Sequence, residues 1–345
     1  MSKASADGQT VHYCGIDVSA ETLEVAIEQD NLRFGHRSFE NRASGHKELV
    51  AWLQKRRATV RVSLEATGVY SLDLALALHA AEGIEVAVLN PKIVHRFAET
   101  LRRSKTDAAD AEVLVEYSRR MPFVAWSAPS QNSLHLRAVS RYVDGLTVQH
   151  TRENNRLHAA QASVATHRCV IQDLKRSLAS IERRIHKLRR EALLLVRSDE
   201  SIRQRFDLLI GIPGIAAVSA IQILSELLLL PPNLTAREWV AHSGLDPAHQ
   251  VSGTSVRKPS RISRAGNRHL RRALYMPALV AVRLDPHLKD FYERLLSRHK
   301  ARLQALVAVS RKLLHAIYGI FRSQTPYEGQ KLFPTLVPIP LPSAS

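Results

Sequence analysis

The sequence contains little cysteine and no long apolar run. Its two cysteines, Cys14 and Cys169, are too few and too far apart for a disulfide framework or a Cys-rich zinc site. No stretch of about eighteen apolar residues occurs, and the first ten residues lack the apolar core of a signal peptide. We therefore expect a soluble, cytoplasmic protein with no membrane partner, in which both cysteines are ordinary core or surface residues.

Acidic residues are also much fewer than basic residues. The chain has 49 Lys and Arg against 32 Asp and Glu, a net charge of +17 with His neutral, which favours polyanionic partners. No acidic residue occurs between Val251 and Leu284, and residues 251–274 alone carry seven cations: Arg257, Lys258, Arg261, Arg264, Arg268, Arg271 and Arg272. A solvated basic face is the simplest interpretation, but the one-sided charge and the interleaved serines favour contact with nucleic-acid phosphates.

The first third of the chain predicts a mixed α/β domain. Apolar, β-branched runs indicate strands at Val11–Val18, Leu23–Glu28, Val60–Leu64 and Ile84–Leu89, with a further strand at Leu32–Phe39. Helical patterns cover residues 45–55 and 71–81, and another helix begins near residue 106. This order of elements resembles a ribonuclease H-like domain of the RuvC-like branch.

Glycine and proline are absent between Gly145 and Gly211, which predicts long helices there. Apolar residues recur from Leu136 to Leu195 in steps of three and four, the pattern of a coiled coil. His150, Glu153 and His167 interrupt this pattern, so we expect the helix to break or fold back at one of them.

Beyond Glu200 the sequence predicts short helices followed by a Pro-rich tail. The predicted divisions are 1–128 (RuvC-like), 129–200 (coiled coil and oligomerisation), 201–330 (mostly helical C-terminal domain) and 331–345 (flexible tail). The segment Leu209–Ile215, "LIGIPGI", fits equally a helix-hairpin-helix that grips a phosphate and a plain connection between helices. Trp239 is interpreted as a core residue.

Four carboxylates are candidate metal ligands. Asp17 and Glu65 each end an apolar strand, and Asp107 and Asp110 lie three residues apart on one helical face. Singly, they fit turn residues or charges that complement a helix dipole. Together they could hold a pair of Mg²⁺ or Mn²⁺ ions, hard cations that prefer oxygen ligands, which would assist cleavage of a phosphodiester. Arg102, Arg103 and Lys105 would then contact phosphates.

Several motifs resemble those of the DEDD-type insertion-sequence transposases and their relatives, the Piv-type DNA invertases. They are "GIDVSAETLEVAI", "EATGVY", "VLNPKIVHRFAETLRRSKTDAADAEVL" and the distal "SGLDPAHQVSGTSVRKPSRISRAGNRHLRRAL". The resemblance implies that Asp17, Glu65, Asp107 and Asp110 bind metal, and that a C-terminal serine is the nucleophile. Ser252 in "VSG" fits that serine best, with Ser263 as the alternative.

The resemblance further implies a phosphoserine link to DNA, acting on element ends and a target, in a bacterial cell at the nucleoid. It implies a homo-oligomer, either a dimer or a tetramer of two dimers, and a guide RNA encoded by the element. Three other interpretations remain open at this point. The chain could be a metal-dependent Holliday-junction resolvase with no serine chemistry, an invertase acting on one locus, or a nucleic-acid-binding protein without catalysis.

Overall fold

The computed structural model describes residues 11–29, 34–66, 68, 70–101, 106–252, 256–263 and 265–332. The chain divides into two compact units, Met1–Ala128 and Pro129–Ser345. The first unit is mixed α/β and the second is mostly helical. Among the described helices, none combines the length and the apolar character needed to cross a bilayer.

The first unit confirms the predicted strands and helices, with bounds shifted by a residue or two. Its elements in chain order are β1 (Val11–Val18), β2 (Thr22–Glu28), β3 (Phe34–Glu40), α1 (Ala43–Gln54), β4 (Thr59–Glu65), α2 (Leu72–His79), β5 (Ile84–Leu89), α3 (Pro91–Leu101) and α4 (Asp107–Arg120).

These strands form one five-stranded sheet in the order β3-β2-β1-β4-β5. The central strand β1 pairs antiparallel with β2 and parallel with β4, and β4 pairs parallel with β5. Helices cover both faces, so the central strands are buried on both sides, which explains their nearly continuous apolar runs. The parallel strands β1, β4 and β5 end at the same edge of the sheet, where side chains from neighbouring strands can meet.

The two faces of the sheet are covered by different helices. On one face Cys14 and Ile16 pack with apolar residues of α1 and α2 in the larger core of this unit. On the other face Tyr13 packs with Ala111 and Val115 of α4. Because side chains alternate along a strand, odd-numbered residues of β1 face α4.

The second unit begins with two long helices. Its elements are α5 (Gln131–Ala162), α6 (Arg168–Ser198), α7 (Glu200–Ile210), α8 (Ala217–Leu227), α9 (Ala236–Ser243), β6 (Pro247–Ser252), β7 (Val256–Ile262), α10 (Arg268–Ala273), α11 (Tyr275–Leu284), α12 (Pro286–Ser297), α13 (Arg302–Ser323) and a 3₁₀ turn at Gly329–Leu332.

Helices α5 and α6 form an antiparallel hairpin. The predicted apolar seam packs within the chain, with Val143 and Leu146 of α5 against Ile181 and Ile185 of α6. The chain reverses between Ala162 and Arg168, and the Nδ1 of His167 caps α6 by accepting a hydrogen bond from the Cys169 backbone N–H, 3.3 Å. Of the three polar interruptions in the seam, only His167 marks a break, because α5 continues through the other two.

The remaining helices surround one core. Leu209, Leu224 and Ile317 are fully buried in it, and Leu136 at the base of α5 belongs to the same cluster. The ring of Trp239 packs edge-on against Tyr318 with centroids 5.2 Å apart, which confirms its predicted core role. The base of the helical hairpin and the C-terminal helices therefore share a single core.

The turn at Leu209–Ile215 packs into the protein. A Cβ on Gly214 would lie 2.7 Å from the Pro277 carbonyl oxygen and 2.8 Å from the Ala281 backbone nitrogen, so α11 lies directly against this turn. Gly214 also has φ +93°, a conformation that favours glycine. These constraints explain the glycine as a packing residue and favour the plain connection between helices over a phosphate grip.

Candidate active site

Asp17 and Glu65 lie side by side at one edge of the sheet. Asp17 is the next-to-last residue of β1 and Glu65 is the last residue of β4. The parallel register pairs Ile16 with Leu64, which puts the next residue of each strand at the same level. Both carboxylates are half-buried.

Both side chains also point to the face that α4 covers. On β4, Ser63 shares a hydrogen bond with Ser118 of α4, and Glu65 lies two residues further along the same face. On β1, Gly15 faces α4 and Asp17 lies two residues further along. The two carboxylates therefore share the edge and the α4 side of the sheet.

Helix α4 begins at this same edge. The hydroxyl of Thr106 caps it by accepting a hydrogen bond from the Ala109 backbone N–H, 3.2 Å, and Asp107 and Asp110 lie in the first turn. At the other end of the helix, Arg119 lies 3.6 Å from Glu28, which is at the opposite edge of the sheet. Helix α4 is thus antiparallel to β1, with its N-terminus near Asp17.

Gly15 sets how close α4 comes to β1. A Cβ on Gly15 would lie 2.1 Å from the carbonyl oxygen of Ala111 and 2.8 Å from the backbone nitrogen of Val115. Only glycine allows this contact without a shift of the helix. Because Ala111 directly follows Asp110, the contact brings the aspartate pair close to the strand edge that carries Asp17.

The chemistry of these residues fits a divalent cation, although the side chains are not gathered around one point. All four offer carboxylate oxygens, which Mg²⁺ and Mn²⁺ prefer. In the part of the chain that the structure describes, no three His, Cys, Asp or Glu side chains form a group suited to a metal ion. The elements therefore bring the four carboxylates to one edge without forming a closed ligand set. The predicted phosphate contacts Arg102, Arg103 and Lys105 lie outside the described residues.

The predicted serine region is a β-hairpin, an element that the sequence patterns did not predict. Strands β6 and β7 pair antiparallel, with Ser252 opposite Val256 at the turn end and Pro247 opposite Ile262 at the base. Ser252 therefore ends β6 at the tip of the hairpin. Arg257, Lys258 and Arg261 follow on β7, and Arg264 lies outside the described residues.

Ser263 lies at the other end of the hairpin, where it closes the base. Its hydroxyl donates a hydrogen bond to the carboxylate of Asp246, 2.6 Å, and its backbone N–H donates to the Asp246 carbonyl, 2.9 Å. Two bonds to one residue are typical of a structural contact. The structure thus separates the two candidate serines by the length of the hairpin and gives Ser263 a packing role.

The basic residues of α10 have different surroundings. Arg268 and Arg272 are exposed. Arg271 is half-buried and donates a hydrogen bond to the Ser243 carbonyl at the end of α9, 2.7 Å. Arg268 and Arg272 are therefore accessible for contact with a phosphate, whereas Arg271 already holds α10 against α9.

A buried ionic network fixes the start of α10. Glu226 of α8, only 3% exposed, accepts two hydrogen bonds from Arg141 of α5, 2.8 and 2.9 Å, and one from Asn267, 2.6 Å. Asn267 in turn caps α10 by accepting from the backbone N–H groups of His269 and Leu270. The segment that follows the serine hairpin is thereby anchored to α5 and α8.

A second pair extends this network. Asp144 of α5 accepts a hydrogen bond from Gln222, 2.6 Å, and lies 3.4 Å from the Nδ1 of His269. The sequence patterns predicted neither pair. One signal was present, since Glu226 is a lone charge in the apolar run "AIQILSELLLL". Its partner could not be read from the sequence, because Arg141 lies 85 residues away.

Glu226→Gln is expected to destabilise the protein by about 2–3 kcal/mol at neutral pH. Breaking a buried ion pair leaves the partner charge uncompensated, and the cost is reduced here because Arg141 is 43% exposed. Burial alone would raise the pKa of Glu226, but the bonds from Arg141 and Asn267 outweigh it and lower the pKa. The stabilisation is therefore present above the ordinary Glu pKa of about 4.3 and is lost as pH falls through the lower folded value.

Urea unfolding of both proteins at pH 7 and at pH 3 measures this effect. The gap between wild type and Glu226→Gln should shrink at the acid pH, because stabilisation by a carboxyl with a lowered folded-state pKa begins to be lost once the pH falls below the ordinary Glu pKa. Glu200→Gln is the matched control, since its pair with Arg203 is exposed and should contribute little. Equal stability of Glu226→Gln and wild type at pH 7 would contradict the assigned network.

Two family models match this chain, in separate ranges. A family model described as "Transposase" matches residues 14–164, which include the four carboxylates. A second, described as "Transposase IS116/IS110/IS902 family", matches residues 207–293, which include Ser252.

Individual relatives belong to the same group of proteins. The pilin gene-inverting proteins of Moraxella bovis and Moraxella lacunata are each 28% identical over 92% of this chain and 97% of their own length. An uncharacterized protein of insertion element IS110 from Streptomyces coelicolor is 28% identical over 45% of this chain and 38% of its own length. The chain belongs to the IS116/IS110/IS902 transposase family and is a DNA transposase or recombinase.

Proposed function

We propose that this transposase cuts and rejoins DNA through a covalent bond to Ser252, assisted by divalent metal at Asp17, Glu65, Asp107 and Asp110. The observation that carries the metal part is the convergence of β1, β4 and α4 at one sheet edge, fixed by the contact at Gly15. The position of Ser252 at the hairpin tip, followed by the cations of β7, supports the serine part.

The covalent step balances without an external energy source. The Ser252 hydroxyl oxygen forms a bond to a DNA phosphorus, one bridging P–O bond of the strand breaks, and the serine proton ends on the leaving hydroxyl. Attack by a hydroxyl of the second strand reverses these changes and releases the serine. Divalent metal, when bound, would stabilise charge on the phosphate oxygens.

The first unit is proposed to be a ribonuclease H-like domain of the RuvC-like type. The support is its sheet, in which an antiparallel group, β3-β2-β1, continues into the parallel strands β4 and β5, with α4 across the centre. Its carboxylates lie at the carboxyl edge of the parallel strands, where open α/β sheets generally place ligands.

A homo-oligomer and a guide RNA complete the proposal. Ser252 and the four carboxylates belong to different units, so protomers that contribute one each would make a composite site in a dimer or in a tetramer of two dimers. The seam expected to join protomers packs inside the α5–α6 hairpin, so the oligomer would need a further surface. The net charge of +17 suits both RNA and DNA.

Formation of a protein–DNA adduct by the wild-type protein tests this proposal. The protein, with any RNA that purifies with it, is incubated with labelled element-end and target DNA and analysed on a denaturing gel. We expect an adduct in Mg²⁺ or Mn²⁺ and none in EDTA. Metal-dependent cleavage without any adduct would instead indicate a resolvase-like nuclease, and a single inverted locus as the only substrate would indicate an invertase.

A further inference from the structure

Helix α6 presents a cationic stripe to solvent, opposite the face that packs on α5. The stripe consists of Arg176, Arg183, Lys187, Arg190 and Arg197, all exposed. At 100° per residue these five fall within a sector of about 80°. The buried residues Leu178, Ile181 and Ile185 lie on the opposite side of the helix.

The stripe is long and free of negative charge. Its ends are 21 positions apart by the residue numbers, which at 1.5 Å per residue makes the stripe about 31 Å long. The three carboxylates of α6, Asp173, Glu182 and Glu191, fall outside the sector. Glu182 points toward α5, where its Oε1 lies 3.0 Å from the Nε2 of His150. Asp173 and Glu191 lie one helical turn from Arg176 and Lys187, just beyond the edge of the sector, so they offset the charge of the stripe only in part.

We propose that this stripe is a docking surface for the phosphate backbone of duplex DNA. A DNA duplex carries one negative charge for about every 1.7 Å of its axis, so a line of cations about 31 Å long matches the backbone over roughly nine base pairs. Duplex DNA is the substrate class of a transposase. The inference rests on that membership and does not need the proposed serine or metal chemistry.

A second copy of this chain is the less suitable occupant. In a two-fold contact the same stripe would face itself, which would bring like charges together. Five long charged side chains occupy this face of the helix, so it lacks the apolar seam that joins the helices of a coiled coil. Charge complementarity therefore favours a polyanion on this face.

Salt-dependent DNA binding by the full-length chain tests the proposal. The variant Arg183→Gln, Lys187→Gln, Arg190→Gln removes the middle of the stripe and keeps a good helix-forming residue at each position. Binding to a labelled duplex of unrelated sequence is measured in EDTA, so that no cleavage contributes. We expect roughly tenfold weaker binding, and a fall of about 2.7 in the slope of log K against log salt, since each phosphate contact contributes about 0.9.

Matched variants separate position from net charge. Arg156→Gln, Arg203→Gln, Lys331→Gln removes the same charge at exposed residues that pair with nearby glutamates, and it should keep the wild-type slope. Arg183→Lys, Arg190→Lys retains the charge of the stripe and should also keep that slope. An unchanged slope in the triple stripe variant would overturn the proposal, as would loss of binding to duplex RNA with binding to duplex DNA intact.

Discussion

Ser252→Ala is expected to abolish the covalent protein–DNA adduct while leaving DNA binding intact. Alanine removes the only atom that can form the bond to phosphorus, so no adduct should remain at any metal concentration. The substitution lies at the end of β6, where the backbone pairing of Ser252 with Val256 does not depend on the hydroxyl. A denaturing gel reports the adduct, and a binding titration in EDTA reports the interaction with DNA.

Ser263→Ala is the matched control for this experiment. It removes a hydroxyl from the same hairpin, but at the base, where the bond to Asp246 is structural. We expect the adduct to persist and the free energy of unfolding to fall by about 1 kcal/mol, the usual net contribution of one hydrogen bond. An adduct formed by Ser252→Ala and lost in Ser263→Ala would transfer the nucleophile to Ser263, with Asp246 as the group that accepts its proton.

Sequence patterns predicted the first unit well because its signals are local. Runs such as "VHYCGIDV" are largely apolar over the length of one strand, which is the pattern expected of a strand buried on both faces. The edge position of Asp17 and Glu65 followed from those strand ends. The sequence alone did not identify Gly15 as the residue that lets α4 pack closely on β1, because that requires knowing which helix covers which face of the sheet.

The hairpin β6–β7 was missed for a physical reason. Ser, Gly, Thr and Lys dominate residues 252–258, and such a composition is more typical of a loop than of a strand. Pairing between the two strands, rather than the propensity of either, stabilises this element. The network around Glu226 was missed likewise, because its members come from α5, α8 and the start of α10.

The second large effect is expected at the carboxylate edge. Asp17→Asn and Asp110→Asn should each slow adduct formation by roughly 10²- to 10³-fold, because a lost metal ligand removes several kcal/mol of charge stabilisation and each 1.4 kcal/mol is tenfold in rate. Both changes keep the size of the side chain, so the packing of α4 on β1 should persist. The rate is measured in single-turnover reactions at fixed Mg²⁺.

Glu112→Gln provides the control on the same helix. Its carboxylate lies 3.0 Å from His36 and points away from the side of α4 that carries Asp107 and Asp110, so the same charge change should leave the rate within a few-fold of wild type. Thermal unfolding with and without Mg²⁺ gives a second readout, since a ligand that binds only the folded state raises the melting temperature. We expect that rise in wild type and Glu112→Gln and a smaller one in Asp17→Asn. If all three proteins respond alike to Mg²⁺ and react at equal rates, the edge is not a metal site, and its carboxylates only complement the strand ends and the N-terminus of α4.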